Sequence, residues 1–282
     1  MSKVKIVTDS TAVLTTDEIE ALEITVVPLT VMIDDVMYED GVTITREDFM
    51  DKMAVAKNLP KTSTPSIGVF TDEYERLLDD DSEIISIHLT PGLSGTFNTA
   101  QQAAQLVHSE RIHPVDSKFI DRAQSFQVIR AARMAQAGAS VAEILADIEQ
   151  TSENTELYLT LSSLDNLTAG GRISKATGFI GGLLNIKIGA HVVDGEIEAE
   201  VKGRGSKTTK NYLDKILNQM HDTDGIQMIG LSHAGIPDEA EAFAKRLREE
   251  FPDAELMVQQ TTPTVATHTG VGAFGFSYLK AF

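Results

Sequence analysis

The chain has 282 residues, and its 24 Lys and Arg against 42 Asp and Glu give a formal charge of −18 at pH 7. This charge opposes binding to nucleic acids and anionic lipid surfaces, and the lack of tryptophan leaves few platforms for stacked bases. Because cysteine is absent, disulfides, thiolate nucleophiles and Cys-ligated metal sites are excluded. The seven histidines show no paired spacing, so we expect no metal and no cofactor.

The length favours two medium domains, which we place at 1–154 and 155–282. The N-terminus runs directly into strand-like sequence, and no apolar run reaches the roughly 18 residues of a membrane span. We therefore expect a soluble, cytoplasmic protein.

The first half alternates predicted strands with predicted helices. Strands are predicted at 3–8, 24–33, 83–89 and 112–115, with a short hairpin after residue 33. Helices are predicted after Thr15 and Thr45 and over 67–78, 96–108, 121–137 and 141–150, with capping boxes at Thr15/Glu18 and Ser140/Glu143. In the helix after Thr45, Phe49, Met53 and Val55 are expected to face inward. The alternation predicts a mostly parallel sheet with helices on both faces.

The second half predicts another α/β domain, with a mixed sheet. Strands are predicted at 156–161, 226–231 and 255–258, helices at 207–220 and 238–251, and a hairpin joins 186–193 to 196–201 through Asp194-Gly195. Residues 164–182 are helical in places but interrupted by glycines. The chain closes with a polar, glycine-rich turn at 267–275 and a short apolar tail.

Two hydroxyl-rich loops are candidate ligand sites. In the first, Lys61–Ser66, Ser66 caps the next helix, which leaves Thr62, Ser63 and Thr64 either as solvated turn residues or as ligands of a polar group. In the second, Ser94 precedes a helix, where it either caps the helix or adds a hydroxyl to an anion site.

Two other motifs have weaker meaning. Gly270–Gly275 matches G-x-G-x-x-G, but the remaining seven residues leave no room for a dinucleotide-binding unit. Basic residues near the second half's first helix indicate either a site for a phosphate or acidic partner, or an ordinary solvated helix start. These basic residues are Lys202, Arg204, Lys207 and Lys210.

Four motifs occur in the order seen in the DegV family, and they span essentially the whole chain. They are Thr62-Ser63-Thr64-Pro65-Ser66, Leu93-Ser94-Gly95-Thr96, Gly171-Arg172-Ile173-Ser174 and His268-Thr269-Gly270. Asp9-Ser10, at the end of the first predicted strand, agrees with the same family. The sequence thus resembles a DegV-type fatty-acid-binding protein.

The resemblance implies a two-domain α/β carrier, not an enzyme, with a long-chain fatty acid such as palmitate buried between the domains. It further implies a partner, the catalytic subunit of a bacterial fatty acid kinase, which phosphorylates the bound carboxylate. An acyltransferase would then use the acyl phosphate in phospholipid synthesis, and transient membrane contact fits this route.

The resemblance also assigns site residues. Around the carboxylate it places Thr62, Ser63, Ser94, Gly95, His268 and Thr269. The basic residues near the head group or the kinase would be Arg172 and Arg204.

The glycine-interrupted segment at 179–184 is a candidate wall of the acyl tunnel, because glycine lets a chain pass close to the backbone. Its apolar residues are Phe179, Ile180, Leu183 and Leu184, and ordinary core packing is the alternative. Two other functions stay open. One is an acyl hydrolase or transferase using Ser94 with His268 or His233, and the other is a module that binds a small anionic metabolite.

Overall fold

The computed structural model describes residues 3–172 and 186–282. Its strands are β1 Val4–Asp9, β2 Thr25–Val27, β3 Thr30–Ile33, β4 Val36–Glu39, β5 Lys61–Ser63, β6 Glu83–His88, β7 Ile112–Asp116, β8 Thr155–Leu161, β9 Ile186–Val193, β10 Glu196–Arg204, β11 Ile226–His233, β12 Glu255–Gln260 and β13 Phe274–Lys280. Its helices are α1 Thr16–Ala21, α2 Arg46–Val55, α3 Ile67–Leu77, α4 Thr96–Val107, α5 Asp121–Gln136, α6 Val141–Glu153, α7 Asp165–Gly170, α8 Ser206–His221, α9 Pro237–Glu250 and α10 Pro263–Thr269.

The first half forms a four-stranded parallel sheet in the order β2-β1-β6-β7, as the alternating pattern predicts. Helices α3 and α4 pack on one face, where Phe70 and Ala100 meet Ile84. Helices α5 and α6 cover the other face, where Phe126 meets Ile85. Both predicted capping boxes are confirmed, at the starts of α1 and α6.

The second half forms a six-stranded mixed sheet in the order β10-β9-β8-β13-β11-β12. Its central strand, β13, is antiparallel to both β8 and β11, whereas β11 and β12 run parallel. The sequence predicted only a short apolar tail there, which is wrong. No local pattern reveals this pairing, because the partners of β13 lie far away in the chain.

A small antiparallel sheet, β4-β3-β5, lies outside the other two. It corrects two predictions. The single strand at 24–33 is divided around Pro28, so that β2 joins the parallel sheet and β3 joins the small one. Residues Lys61–Ser63 are not a loop but strand β5, paired with β3.

Helix α2 corrects another prediction. Val55, predicted to face inward, ends the helix and is 81% exposed, whereas Phe49 is buried as predicted.

Helix α5 lies between the two large sheets. It contacts β1 and β6 of the first and β8, β11 and β13 of the second. Phe126 belongs to a core cluster that also contains Met228 and Leu279, from the second half. The two sheets thus share one helix, and the domain boundary at residue 154 stays a prediction. None of the helices within 3–172 and 186–282 combines the length and the hydrophobicity that a membrane span requires.

The predicted hairpin of β9 and β10 is confirmed, and its turn touches the first half. Asp194 and Gly195 have φ of 48° and 78°, as a two-residue hairpin turn requires. A Cβ on Gly195 would lie 2.1 Å from Thr90 Oγ1, and a Cβ on Gly92 would lie 2.5 Å from the Gly195 carbonyl oxygen. The hairpin turn therefore packs directly on the loop that carries Ser94.

We expect Gly195→Ala to cost more stability than Gly138→Ala. Both glycines have positive φ, but a Cβ on Gly138 meets nothing within 4 Å, so that variant reports backbone strain alone, on the order of 1 kcal/mol. Gly195→Ala adds a clash with Thr90, which is buried and hydrogen-bonded to the Gly92 amide. Urea unfolding of both variants measures the two losses in the free energy of unfolding. Equal losses would contradict the close contact between Gly195 and Thr90.

Candidate functional site

A cavity lies between the two halves of the chain. The cavity and its open mouth together span about 780 Å³ that protein atoms do not fill. Its apolar lining is supplied by Leu29, Leu89, Leu93, Ile120, Leu157, Leu159, Leu161, Leu167, Ile197, Val265, Ala273 and Phe274. Most of this wall is leucine, which favours an apolar ligand.

Strand β8 builds one side of the wall by simple alternation. Leu157, Leu159 and Leu161 are two residues apart, so their side chains share one face of the sheet, and all three line the cavity. Tyr158, between them, instead packs with Tyr212 of α8 on the opposite face. The sequence analysis predicted the strand but not its role in the cavity.

Polar side chains from separate elements meet in this cavity. Thr62 comes from β5, Ser94 from the loop before α4, Arg172 from the segment after α7, and His268 and Thr269 from the last turn of α10. We call these five residues the head-group cluster. Thr62 Oγ1 lies 2.8 Å from His268 Nε2, a hydrogen bond that joins residues 206 positions apart in the sequence. His268 was predicted in a glycine-rich turn, but it belongs to a helix.

Arg172 is anchored by backbone carbonyls. Its Nε donates to Leu93 O at 3.1 Å, and its Nη1 donates to Gly170 O at 2.6 Å. The half-buried guanidinium therefore lies beside the residue that precedes Ser94. It brings a positive charge to the cavity with two of its five N–H groups already engaged.

His268 is held in its neutral form. Burial lowers the pKa of His268 to about 4, and the positive charge of Arg172 acts in the same direction. The ring packs closely against Gly170, where a Cβ would lie 2.3 Å from His268 Nδ1, so this position of the ring requires glycine at residue 170. At neutral pH the imidazole can exchange hydrogen bonds with Thr62 or with a ligand, but it adds no charge.

Ser94 has a capping role as well as a place in the cavity. Its Oγ accepts the Thr96 backbone N–H at 3.3 Å and lies 3.0 Å from Thr96 Oγ1. Gly95 is the N-cap position of α4 and contributes no side-chain hydrogen bond. The hydrogen bond of Ser94 to the start of α4 is therefore observed, and its contact with a ligand stays a prediction.

Three assigned residues do not line the described cavity. Ser63 follows Thr62 in β5, so its side chain is on the opposite face of the strand, and it is exposed. Gly95 and Arg204 are also exposed, Arg204 at the end of β10. The proposed tunnel residues, Phe179, Ile180, Leu183 and Leu184, lie outside the described residues.

A second polar group lines the same cavity and was missed by the sequence analysis. It consists of Asp121, Ser232, Thr261 and Thr264, all buried. Ser232 Oγ donates to Asp121 Oδ2 at 2.5 Å, which joins α5 of the first half to β11 of the second. His233, weighed above as a base for Ser94, also borders the cavity. Asp121 has φ of 62°, a strained value for a non-glycine residue that no sequence motif announces.

A Ser-His-Asp connection exists elsewhere and is sealed. Ser86 Oγ lies 2.7 Å from His88 Nε2, and His88 Nδ1 lies 3.0 Å from Asp9 Oδ2, which is the connectivity of a hydrolase triad. All three residues are fully buried, and Tyr74 donates its hydroxyl to Ser86. Burial opposes ionisation of Asp9, yet hydrogen bonds from His88, Thr11 and Leu89 hold its pKa below the ordinary value. With no access for substrate, this network is structural.

Comparison with known proteins defines the family. The family model described as "Uncharacterised protein, DegV family" matches residues 3–281. The chain belongs to the DegV family. A DegV domain-containing protein of Lactococcus lactis is 45% identical over 273 residues, which cover 96% of this chain and 97% of the relative.

Solved structures with a similar fold include proteins described as binding fatty acids. DegV, a fatty acid binding protein from Bacillus subtilis, is 29% identical, with a TM-score of 0.91 and complete coverage of both chains. A stearic acid-binding protein from Eubacterium ventriosum is 27% identical, with a TM-score of 0.83 over 99% of this chain and 98% of its own. The α/β architecture predicted for both halves is confirmed by these structures.

The neutral state of His268 gives a testable pH dependence. The unfolded imidazole has an ordinary pKa of 6.5 and the folded one about 4, so between these values the unfolded chain binds more protons. The stability that comes from keeping His268 neutral is therefore present above pH 6.5 and is lost as pH falls toward 4. Between pH 7 and pH 5, wild type should lose about 2 kcal/mol more than His268→Gln, which cannot titrate. Urea unfolding at pH 7 and pH 5 measures the free energy of unfolding of both proteins. Equal losses in wild type and His268→Gln would show that the pKa of His268 is not lowered by folding.

Proposed function

We propose that this DegV-family protein is a carrier that binds a long-chain fatty acid in the cavity, with the carboxylate at the head-group cluster. One observation carries the proposal. The cavity is lined largely by leucine, and the hydroxyls, neutral histidine and arginine of the head-group cluster line the same cavity. Apolar walls with a few convergent polar groups are typical of small-molecule sites. The fatty acids bound by the solved relatives support the same class of ligand.

The acyl chain would supply most of the affinity. Burying roughly 15 methylenes at about 0.8 kcal/mol each gives on the order of 12 kcal/mol before the costs of association and ordering. We further propose that the segment holding Phe179, Ile180, Leu183 and Leu184 continues the wall, and that palmitate is among the chains that fit.

The carboxylate would be held by weak, mostly neutral contacts. Thr62 and Ser94 offer hydroxyls, and His268 offers an uncharged ring nitrogen. Thr269 also lines the site, but its hydroxyl donates to Val265 O at 3.0 Å. Arg172 attracts the anion, but its Nε and Nη1 already donate to the carbonyls of Leu93 and Gly170. The guanidinium therefore cannot form its strongest bidentate pair with the carboxylate. A head group held in this way stays available for reaction with an external reagent.

We extend the proposal to a partner. The fatty acid kinase catalytic subunit would phosphorylate the bound carboxylate, and an acyltransferase of phospholipid synthesis would receive the acyl phosphate. Arg204, Lys207 and Lys210 are exposed around the end of β10 and the start of α8, on a chain of strongly negative charge. Such a local basic patch suits an acidic partner or a phosphate, so we assign Arg204 to the kinase-facing surface.

The binding proposal predicts a fatty acid in the purified protein. Mass spectrometry of an organic extract, compared with the native mass of the intact protein, should show one long-chain acid per chain. A clean unliganded mass, combined with failure to take up added palmitate in calorimetry, would reject the carrier function.

Two adjacent residues test the location of the carboxylate. Thr62→Val should weaken palmitate binding by about 5- to 10-fold, because it removes one hydroxyl from the cluster. Ser63→Ala removes a hydroxyl from the opposite, exposed face of β5 and should leave the dissociation constant unchanged. If the two variants bind palmitate equally, the carboxylate lies elsewhere.

The kinase assignment has a separate test. Arg204→Ala should slow phosphorylation of the bound acid by about 10-fold, with palmitate affinity unchanged, because Arg204 lies outside the cavity lining. Arg248→Ala, which removes an exposed arginine from α9, is the matched control. Normal phosphorylation by Arg204→Ala would overturn the assignment without affecting the binding proposal.

A further inference from the structure

The second polar group of the cavity has no contact with the ligand in the carrier described so far. Asp121, Ser232, Thr261 and Thr264 are 6%, 2%, 4% and 4% exposed, and all four line the apolar cavity. A plain alkyl chain offers these groups no hydrogen bond, and buried polar groups without partners cost about 1–3 kcal/mol each. Their presence beside a lipid chain therefore needs a reason.

The four residues face the same space. In β11, Ser232 pairs with Gly275 of β13, and a Cβ on Gly275 would lie 2.4 Å from Ser232 Oγ and 2.8 Å from Asp121 Oδ2. The Asp121–Ser232 hydrogen bond therefore lies against the backbone of Gly275, and any side chain at residue 275 would collide with it. Thr261 follows β12, the neighbour of β11 on its other side, and its backbone N–H donates to His233 O.

Hydrogen-bonding capacity remains unused in this group. Asp121 accepts the Ser232 hydroxyl on Oδ2 and the Arg122 amide on Oδ1, whereas a carboxylate has about four acceptor sites. Thr261 Oγ1 is buried and has no hydrogen-bond partner among the described residues. The Asp121 carboxylate can thus accept further hydrogen bonds, and the Thr261 hydroxyl can still donate one, at the wall of the same cavity.

We infer that these residues form a subsite for a hydroxyl group on the acyl chain, so that the protein accepts hydroxylated fatty acids as well as plain ones. The ligand hydroxyl would donate to the Asp121 carboxylate and accept from the Thr261 hydroxyl, which satisfies both. This inference rests on the proposed function, since it assumes an acyl chain in the cavity.

Helix α10 sets the position of the hydroxyl on the chain. Thr264 and His268 are four residues apart on this helix, which separates them by about 6 Å along its axis and places them on one face. With the carboxylate at His268, the subsite lies beside the first several carbons of the chain. The preferred ligand therefore has its hydroxyl near the carboxyl end.

Dissociation constants of three chain-matched ligands test the inference: hexadecanoic acid, an isomer hydroxylated near the carboxyl end, and an isomer hydroxylated at the terminal carbon. We expect the first two to bind within about 3-fold of each other. The terminal isomer should bind about 10-fold or more weakly, because its hydroxyl is buried without a partner.

Variants then assign the effect to the subsite. Thr261→Val keeps the side-chain shape and should weaken binding of the near-carboxyl isomer by about 10-fold relative to binding of hexadecanoic acid. Thr264→Val is a second variant, used if Thr261→Val does not fold. The control is Thr267→Val, since Thr267 is buried in the same helix but bonds to Pro263 O and does not line the cavity.

The outcomes separate the two proposals. If hexadecanoic acid binds but the near-carboxyl isomer binds as weakly as the terminal one, the subsite is wrong and the carrier function stands. Equal losses for both acids in Thr261→Val would also overturn the subsite. If none of the three acids binds, the carrier function itself is rejected.

Discussion

The burial of α5 between two sheets is the constraint on which the rest of the structure depends. Eleven of its sixteen residues are buried, including polar ones, so the helix cannot rotate without breaking internal hydrogen bonds. Gln124 bonds to Thr8 and Asp9 on one side, and Gln127 donates to Ser117 O on another. With its rotation fixed, α5 presents Asp121 to the cavity and holds both halves at one separation.

The cavity shows how a chain of charge −18 can receive an anion. The imidazole of His268 stays neutral because it is buried, and the guanidinium of Arg172 is the cation in the head-group cluster. Long-range repulsion is screened within about 8–10 Å in physiological salt, whereas these contacts act at hydrogen-bond distance. Local geometry therefore decides binding at this site, and net charge mainly governs which surfaces the protein approaches.

The sequence was sufficient for local features and for the motif residues. Capping boxes and the Asp194-Gly195 turn depend on neighbouring residues, and both are as predicted. The parallel sheet is also as predicted, because the alternation of strands and helices indicates it. The motifs also selected Thr62, Ser94 and His268, which the fold brings to one cavity. The strand pairing of β5 and β13 and the Asp121–Ser232 contact could not be predicted, because each joins residues far apart whose partners leave no periodic signal.

The position of β13 orders the assembly of the site. Strands β8 and β11 do not pair directly, because β13 lies between them in the sheet. The pairing of β13 with β8 joins distant parts of the sequence, since Phe274 pairs with Thr160, 114 residues earlier. During synthesis, the leucine residues of β8 and Ser232 of β11 can come together in the cavity only after β13 has been made and has paired with both strands. The parallel sheet can form early, whereas the lipid cavity becomes available only when the six-stranded sheet closes.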